Sequence, residues 1–259
     1  MIQINELSFG YHKHTPILEN ICFDIEKHQC IAVLGNNGAG KSTLLKCING
    51  IMKPQQGAVL VQGKDVLSMH RKEMAKNLAY VAQKNEATKM TVFDTVLLGR
   101  KPYIKWEAAK EDYELVEKMI DQMGLNELKL CYIDEISGGE LQKVMITRAL
   151  VQQPKLLLLD EPTSNLDPKN QYEVMAMVQR IAKEQQIAVV VVIHDLNLAL
   201  RYCDRFLLLK DQKIYAYGGH EIMQEDTISE IYRIPVKVEQ YLGVRVVIPI
   251  PEGEQVCFV

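Results

Sequence analysis

The chain has 259 residues, 47% hydrophobic and 24% charged, with a formal net charge of -3. That is the composition of a soluble globular protein at the upper edge of one domain's usual size, so one domain carrying an added lobe is the economical arrangement. The charge leaves no surplus to neutralise a phosphate backbone, which argues against nucleic acid as the main partner, and the six cysteines (Cys22, Cys30, Cys47, Cys131, Cys203, Cys257) show neither a CxxC pair nor clustering with histidines, which excludes the usual zinc and disulfide patterns and fits reduced thiols in a cytosol.

In chain order, Ile2, Ile4 and Leu7 and then Ile17 to Ile25 carry loose strand patterns around a polar turn from Tyr11 to Thr15, which predicts an antiparallel sheet at the N-terminus. Cys30-Ile31-Ala32-Val33-Leu34 is a continuous apolar run of the kind that parallel strands buried on both faces require. From about Thr91 to Gln153 the pattern turns helical, with Trp106 to Met123 its clearest helix, and we read this stretch as an inserted lobe. Parallel-type strands resume at Leu156 to Leu159, Ala188 to Ile193 and Phe206 to Leu209, separated by helical segments at Gln171 to Glu184 and Leu196 to Tyr202. The main lobe is therefore α/β. Residues 1–88 and 154–234 are expected to form it, residues 89–153 the helical insertion, and residues 235–259 a Val/Ile/Pro-rich tail whose role the sequence does not disclose. The longest apolar runs, Ile187 to Ile193 and Leu156 to Leu159, fall far short of the roughly 20 residues a membrane helix needs. Met1 to Glu6 shows no basic start leading into an apolar stretch, so no secretion signal is expected.

The chemistry concentrates at strand ends. Gly35-Asn36-Asn37-Gly38-Ala39-Gly40-Lys41-Ser42 fits GxxxxGK[ST] in full, directly after a buried strand and before a helix. Glycines let backbone N–H groups turn inward around phosphates, the helix adds the positive end of its dipole, Lys41 reaches the β and γ phosphates, and Ser42 is placed to ligate magnesium. Thr43 adds a hydroxyl near the α phosphate. Leu156-Leu157-Leu158-Leu159-Asp160-Glu161 ends a buried strand in two carboxylates, which an apolar sheet edge does not hold without ions or water to satisfy them. Asp160 suits a magnesium shell, and Glu161 suits the orientation and deprotonation of an attacking water. These two elements define a P-loop nucleoside triphosphatase without saying which kind. A third, Ser137-Gly138-Gly139-Glu140 before a helical pattern, makes a second glycine-flanked helix N-terminus able to receive an anion, and one nucleotide does not need two such cradles in one subunit.

With this third element the chain resembles the ABC ATPase family, whose Leu-Ser-Gly-Gly-Gln signature stands here as Ile136-Ser137-Gly138-Gly139-Glu140. Tyr11, Gln83, Ser164-Asn165-Leu166-Asp167 and His194 fall in the family's order. Alone, Tyr11 reads as a surface turn residue, Gln83 as any polar residue and His194 as the neighbour of a helix cap; their joint spacing carries the match. The resemblance implies a P-loop (RecA-like) core with an antiparallel β subdomain and a helical subdomain. It implies Mg²⁺ and ATP held between two copies of the chain, with Tyr11 stacking on adenine and Ser137, Gly138, Gly139 and Glu140 closing over the γ phosphate of the opposite copy. It further implies that Gln83 touches magnesium and water, that His194 bonds the γ phosphate, and that Asp167 orients groups across the dimer. Glu140 stands in place of the usual glutamine and Leu141-Gln142-Lys143 in place of a more basic stretch; neither removes a phosphate donor, so closure on ATP is expected to survive, with the Glu140 carboxylate weakening it beside a polyphosphate. Asn36 likewise stands where many relatives have proline, from which little consequence is expected.

Within the family the chain resembles ATPases of importers for iron-siderophore complexes, haem and cobalamin, through His194 to Ala199, Leu97 to Arg100, Pro162 to Asp167 and a short tail after Ile231-Tyr232. This implies a peripheral position on the cytoplasmic face of the membrane, beneath a separate permease met through the segment from Gln83 to about Lys105, with an extracytoplasmic substrate-binding protein as an indirect partner. Soluble ABC proteins that remodel DNA or ribosomes usually carry a long coiled-coil insertion or two cassettes, and this chain has neither; nor does it contain the Asn-Lys-x-Asp signature of guanine binding.

Overall fold

The computed structural model describes residues 1–12, 15–83 and 89–250. Cys257, the end of the tail and part of the Gln83 to Lys105 segment lie outside them. In chain order the elements are β1 (Ile2–His12), β2 (Thr15–Ile25), β3 (Cys30–Leu34), α1 (Lys41–Ile48), β4 (Gln56–Val61), β5 (Lys64–Asp65), α2 (Arg71–Asn77), β6 (Leu78–Val81), α3 (Val92–Leu97), α4 (Lys110–Gln122), α5 (Gly138–Leu150), β7 (Leu156–Asp160), α6 (Pro168–Glu184), β8 (Ala188–Val192), α7 (Leu196–Tyr202), β9 (Arg205–Lys210), β10 (Lys213–Gly218), α8 (Glu225–Tyr232), β11 (Val236–Tyr241) and β12 (Val244–Pro249).

Two larger sheets stack on one another. The first, in the order β2-β1-β4-β5, is antiparallel. The second, β10-β9-β3-β8-β7-β6, is parallel from β9 to β6 with β10 added antiparallel at its edge. The apolar runs of β3, β7 and β8 are explained by their period of two: Ile31, Val33, Leu156, Leu158, Val190 and Val192 face the core shared with β1, β2 and α1. Their neighbours Ala32, Leu34, Leu157, Leu159, Val189 and Val191 face a second core shared with α3, α4, α5 and α6. A strand buried on both faces has no polar alternation to show.

That second core draws the helices between residues 92 and 150 into one apolar continuum with the parallel sheet through Val96, Val116, Ile120, Val144 and Ile146. The helix expected from Trp106 begins at Lys110 instead. Asp112 reaches back to the backbone N–H of Ala109 (3.1 Å) and accepts from Arg100 Nε (2.7 Å), which pins the helix start there, while Trp106 stands 97% exposed. The tail is also more ordered than its composition indicates: β11 and β12 form an antiparallel hairpin, from Val236 opposite Pro249 to Tyr241 opposite Val244. Among the described residues no helix is long and apolar enough to cross a membrane.

Candidate active site

The loop from Gly35 to Gly40 joins β3 to α1. Gly35 sits at φ +142° with the carbonyl of Leu209 only 2.4 Å from where a Cβ would stand, so the loop's first turn admits no side chain. The N-terminus of α1 opens at this loop and supplies unpaired N–H groups with a positive dipole end. Lys41 is buried, and its Nζ donates to the carbonyls of Gly35 (2.8 Å) and Asn36 (2.9 Å). An ammonium group has three donors, so one remains for a ligand. Burial lowers the pKa of Lys41 from its ordinary value, and the Glu161 and Asp160 carboxylates oppose that shift. Tyr11, Asn37, Gly38, Gly40, Lys41, Ser42, Thr43 and Glu161 line a common cavity of about 290 Å³. Asn36 does not; its side chain turns away and donates to the carbonyl of Ile231 (2.6 Å), a contact that the loop sequence does not announce.

Asp160, at the end of β7, is buried and accepts from Ser42 Oγ (2.7 Å) and from the Tyr80 hydroxyl (2.9 Å). Tyr80 is a site residue that sequence reasoning passed over, on the strand β6 that runs beside β7. Burial, and next the charge of Asp160, raise its phenol pKa, so it stays a donor to that carboxylate. Glu161 follows immediately, at φ +50°, a left-handed conformation that costs a non-glycine residue energy and recurs at functional positions. Its Oε2 accepts from Gln83 Nε2 (2.5 Å), and its Oε1 lies 2.7 Å from His194 Nε2. Three segments that are remote in the chain thus converge on one carboxylate, beside Lys41.

The donor set suits magnesium. The hydroxyl of Ser42 and the carboxylate of Asp160 converge as hard oxygen donors, and magnesium takes few protein ligands beside water and substrate phosphates. Among the described residues no cluster of three His, Cys, Asp or Glu side chains offers a self-sufficient metal cage.

Ser137, Gly138, Gly139 and Glu140 open α5 elsewhere and do not line this cavity. Ser137 and Glu140 form a capping box in which Glu140 Oε2 accepts both the hydroxyl (2.6 Å) and the backbone N–H (2.8 Å) of Ser137. These bonds hold the Glu140 carboxyl below its ordinary pKa. Asp167 caps α6, accepting from the backbone N–H (3.0 Å) and side-chain amide (2.6 Å) of Asn170. The loop between β3 and α1 and the N-terminus of α5 are therefore two separate glycine-flanked helix starts, and the residues that open α5 do not line the Lys41 cavity.

A family model described as ABC transporter matches residues 18–164. An ABC transporter ATP-binding protein of Methanocaldococcus jannaschii is 50% identical over 250 residues, 96% of this chain and 98% of that one. A siderophore transport system ATP-binding protein of Bacillus subtilis is 34% identical over 262 residues, 100% of this chain and 95% of that one. Among solved structures, an inward-facing ABC transporter described as of metal-chelate type superposes with a TM-score of 0.84 at 29% identity, covering 97% of this chain and 98% of that one. Strand-end carboxylates over a P-loop, two stacked sheets with helices packed on the parallel one, and near-full-length similarity lead to one conclusion: the chain belongs to the ABC transporter family, as an ATP-binding subunit and an ATPase.

Proposed function

We propose that this chain powers an importer for a ferric siderophore or a related iron, haem or cobalamin cargo, acting as a dimer that sandwiches two ATP molecules beneath a separate permease at the cytoplasmic face of the membrane. An extracytoplasmic binding protein delivers the cargo to that permease. The observation that carries the reading is the carboxylate of Glu161, gripped by Gln83 and His194 beside Lys41 while Ser137 and its helix stand apart, so that a second copy is needed to bring a signature over the P-loop. The siderophore and metal-chelate descriptions of the relatives support the cargo class.

In this mechanism the loop N–H groups from Gly38 to Ser42 and the free donor of Lys41 receive the β and γ phosphates, Thr43 the α phosphate, and Tyr11 the adenine face. Ser42, Asp160 and Gln83 would hold Mg²⁺, which would supply positive charge to offset that developing on the phosphates. His194 leaves Glu161 for the γ phosphate as the dimer closes. Glu161 orients the water and takes its proton, a contribution worth roughly 10²–10⁴ in rate, while Ser137 and the backbone at Gly138 and Gly139 of the opposite copy donate to the phosphate being transferred. Asp167 holds the start of α6 at that same dimer face. Binding closes the dimer and moves the permease; hydrolysis reopens it.

The test is uptake of labelled ferric siderophore, haem and cobalamin in cells lacking the chain, complemented with wild type or with Glu161→Gln. Loss of one cargo, restored by wild type alone, is the expected result. Unchanged uptake of all three refutes the cargo assignment and leaves the ATPase standing.

A further inference from the structure

The phosphate loop and the His194 turn are both held by the C-terminal segment. On one side, Asn36 Nδ2 donates to the carbonyl of Ile231 (2.6 Å) and the backbone N–H of Gly35 donates to the hydroxyl of Tyr232 (3.3 Å). Both contacts fall in the last turn of α8; the first supplies an outside donor to the Ile231 carbonyl, which has no partner within the helix. Ile228 and Ile231 anchor α8 in the main core, and burial pushes the Tyr232 phenol up to about 12, so its hydroxyl keeps its proton. On the other side, Asn197 sits in the first turn of α7, whose cap Asp195 directly follows His194. Its side-chain amide accepts from the backbone N–H of Val247 (2.8 Å) and donates to the carbonyl of the same residue (3.3 Å), pairing with β12 as a neighbouring strand would.

The two grips are joined. Glu225 in α8 accepts from the backbone N–H of Val238 (3.1 Å) and from Lys237 Nζ (3.2 Å) in β11, and Ser229 Oγ accepts from the backbone N–H of Val236 (3.3 Å). A continuous path of hydrogen bonds therefore runs from the phosphate loop through α8 and the hairpin to Asn197, three residues after His194. A proline at position 36 could not make the first of these contacts, since it has no side-chain amide.

We propose that α8 and the β11–β12 hairpin form a brace that sets the phosphate loop and the His194 turn at a fixed separation, with Asn36, Tyr232 and Asn197 as its positioning residues. This rests on the reading of Gly35 to Ser42 as the ATP phosphate loop and of His194 as a group used in hydrolysis. The brace acts through geometry, where a displacement of about 1 Å can cost up to about 10²-fold in rate. Its two ends serve different steps, so their loss separates in the kinetics: the α8 end shapes the ground-state cradle and the β12 end shapes the transition state.

The test uses the full chain with Tyr232→Phe, Asn36→Ala and Asn197→Ala, the first of these changing a single atom and so preserving the fold. Steady-state ATP hydrolysis is followed against Mg-ATP concentration, alongside thermal melting. We expect Asn36→Ala and Tyr232→Phe to raise KM about tenfold with kcat held within about twofold, and Asn197→Ala to lower kcat about tenfold at unchanged KM. Added to His194→Ala, the Asn197 substitution is expected to cause no further loss, because it acts through that histidine. If kcat and KM stay within about twofold of wild type in all three variants while the melting temperature falls, the segment only stabilises the fold and the brace is refuted. An undiminished effect of Asn197→Ala on top of His194→Ala refutes it equally. Should Lys41→Ala retain full nucleotide affinity, or His194→Ala full kcat, the site assignment itself falls and the brace with it; the preceding two outcomes refute the brace alone.

Discussion

The signature helix holds a carboxylate where its family carries an amide, and replacing Glu140 with Gln isolates the effect of that charge. In the structure the Ser137 hydroxyl donates to Glu140 Oε2 at 2.6 Å, so the proton that the proposed sandwich would direct to a γ phosphate is already committed to an anion of the same chain. A phosphate oxygen that takes over the bond lies roughly 4 Å from the carboxylate, where two like charges repel by about 1 kcal/mol in water. The proposed dimer would contain two such encounters, so relief of about 2 kcal/mol corresponds to about 30-fold tighter ATP-driven dimerisation. Glutamine keeps an acceptor for the capping box but loses the charge that the Ser137 bonds and the helix N-terminus favour, so a small loss of α5 stability is expected and melting is followed alongside. Acidification does not substitute for the mutation, since the bonds from Ser137 keep Glu140 ionised below the ordinary carboxylate range. The folded pKa being depressed, the capping contribution is complete above the unfolded value and is lost only as pH falls through the lower folded one. Sedimentation velocity at saturating Mg-ATP, with Glu161→Gln in both proteins to block hydrolysis, measures the difference. The gain is expected at about 0.1 M salt and largely vanishes near 1 M, where the screening length falls to about 3 Å. An unchanged dimer affinity at low salt, or a gain that salt does not reduce, refutes the electrostatic reasoning.

Glu161→Gln alone is expected to lower phosphate release by about 10²–10⁴ while nucleotide affinity holds; an equal fall in affinity would show that the carboxylate serves binding instead. Lys41→Ala removes a buried cation and its donor to the phosphates, and is expected to abolish ATP binding in calorimetry, an intact isotherm being the contrary result. Tyr80→Phe deletes one of the two hydroxyl donors to Asp160, a bond to a charged group worth about 1.5–3 kcal/mol. The magnesium concentration for half-maximal hydrolysis is expected to shift about tenfold, with metal-free ADP affinity unchanged; a shift in both places Tyr80 in general support of the fold.

The parts legible in the sequence are those in which a local rule leaves one outcome. The strand Cys30–Leu34 has the bounds its apolar run indicates, and α1 starts at Lys41 as the GxxxxGKS spacing requires. The carboxylate pair at 160 and 161 is legible because two charges closing a buried strand have few explanations other than chemistry. The hairpin of β11 and β12 is not legible, for a specific reason: its turn residues Leu242 and Gly243 both have positive φ, and leucine is not among the residues that announce such a turn. Tyr80 escapes notice because tyrosine suits a half-buried strand on propensity alone, and its partner lies eighty residues away.

Two of the departures from the family pattern, Glu140 and Asn36, mark the boundary between these cases. Glu140 meets a partner three residues away, and helix geometry makes that contact readable from the Ser-x-x-Glu spacing alone. Asn36 meets Ile231, 195 residues away, after four further strands of the parallel sheet have brought α8 back beside the loop that follows β3. Judged by its neighbours in sequence, Asn36 is one tolerable residue in a glycine-rich turn. Judged by its neighbours in space, it closes the end of a helix and ties that helix to the loop between β3 and α1. A substitution that looks neutral in the motif therefore has to be weighed against whatever the fold delivers to the motif's outer side, and here the C-terminal segment is what it delivers.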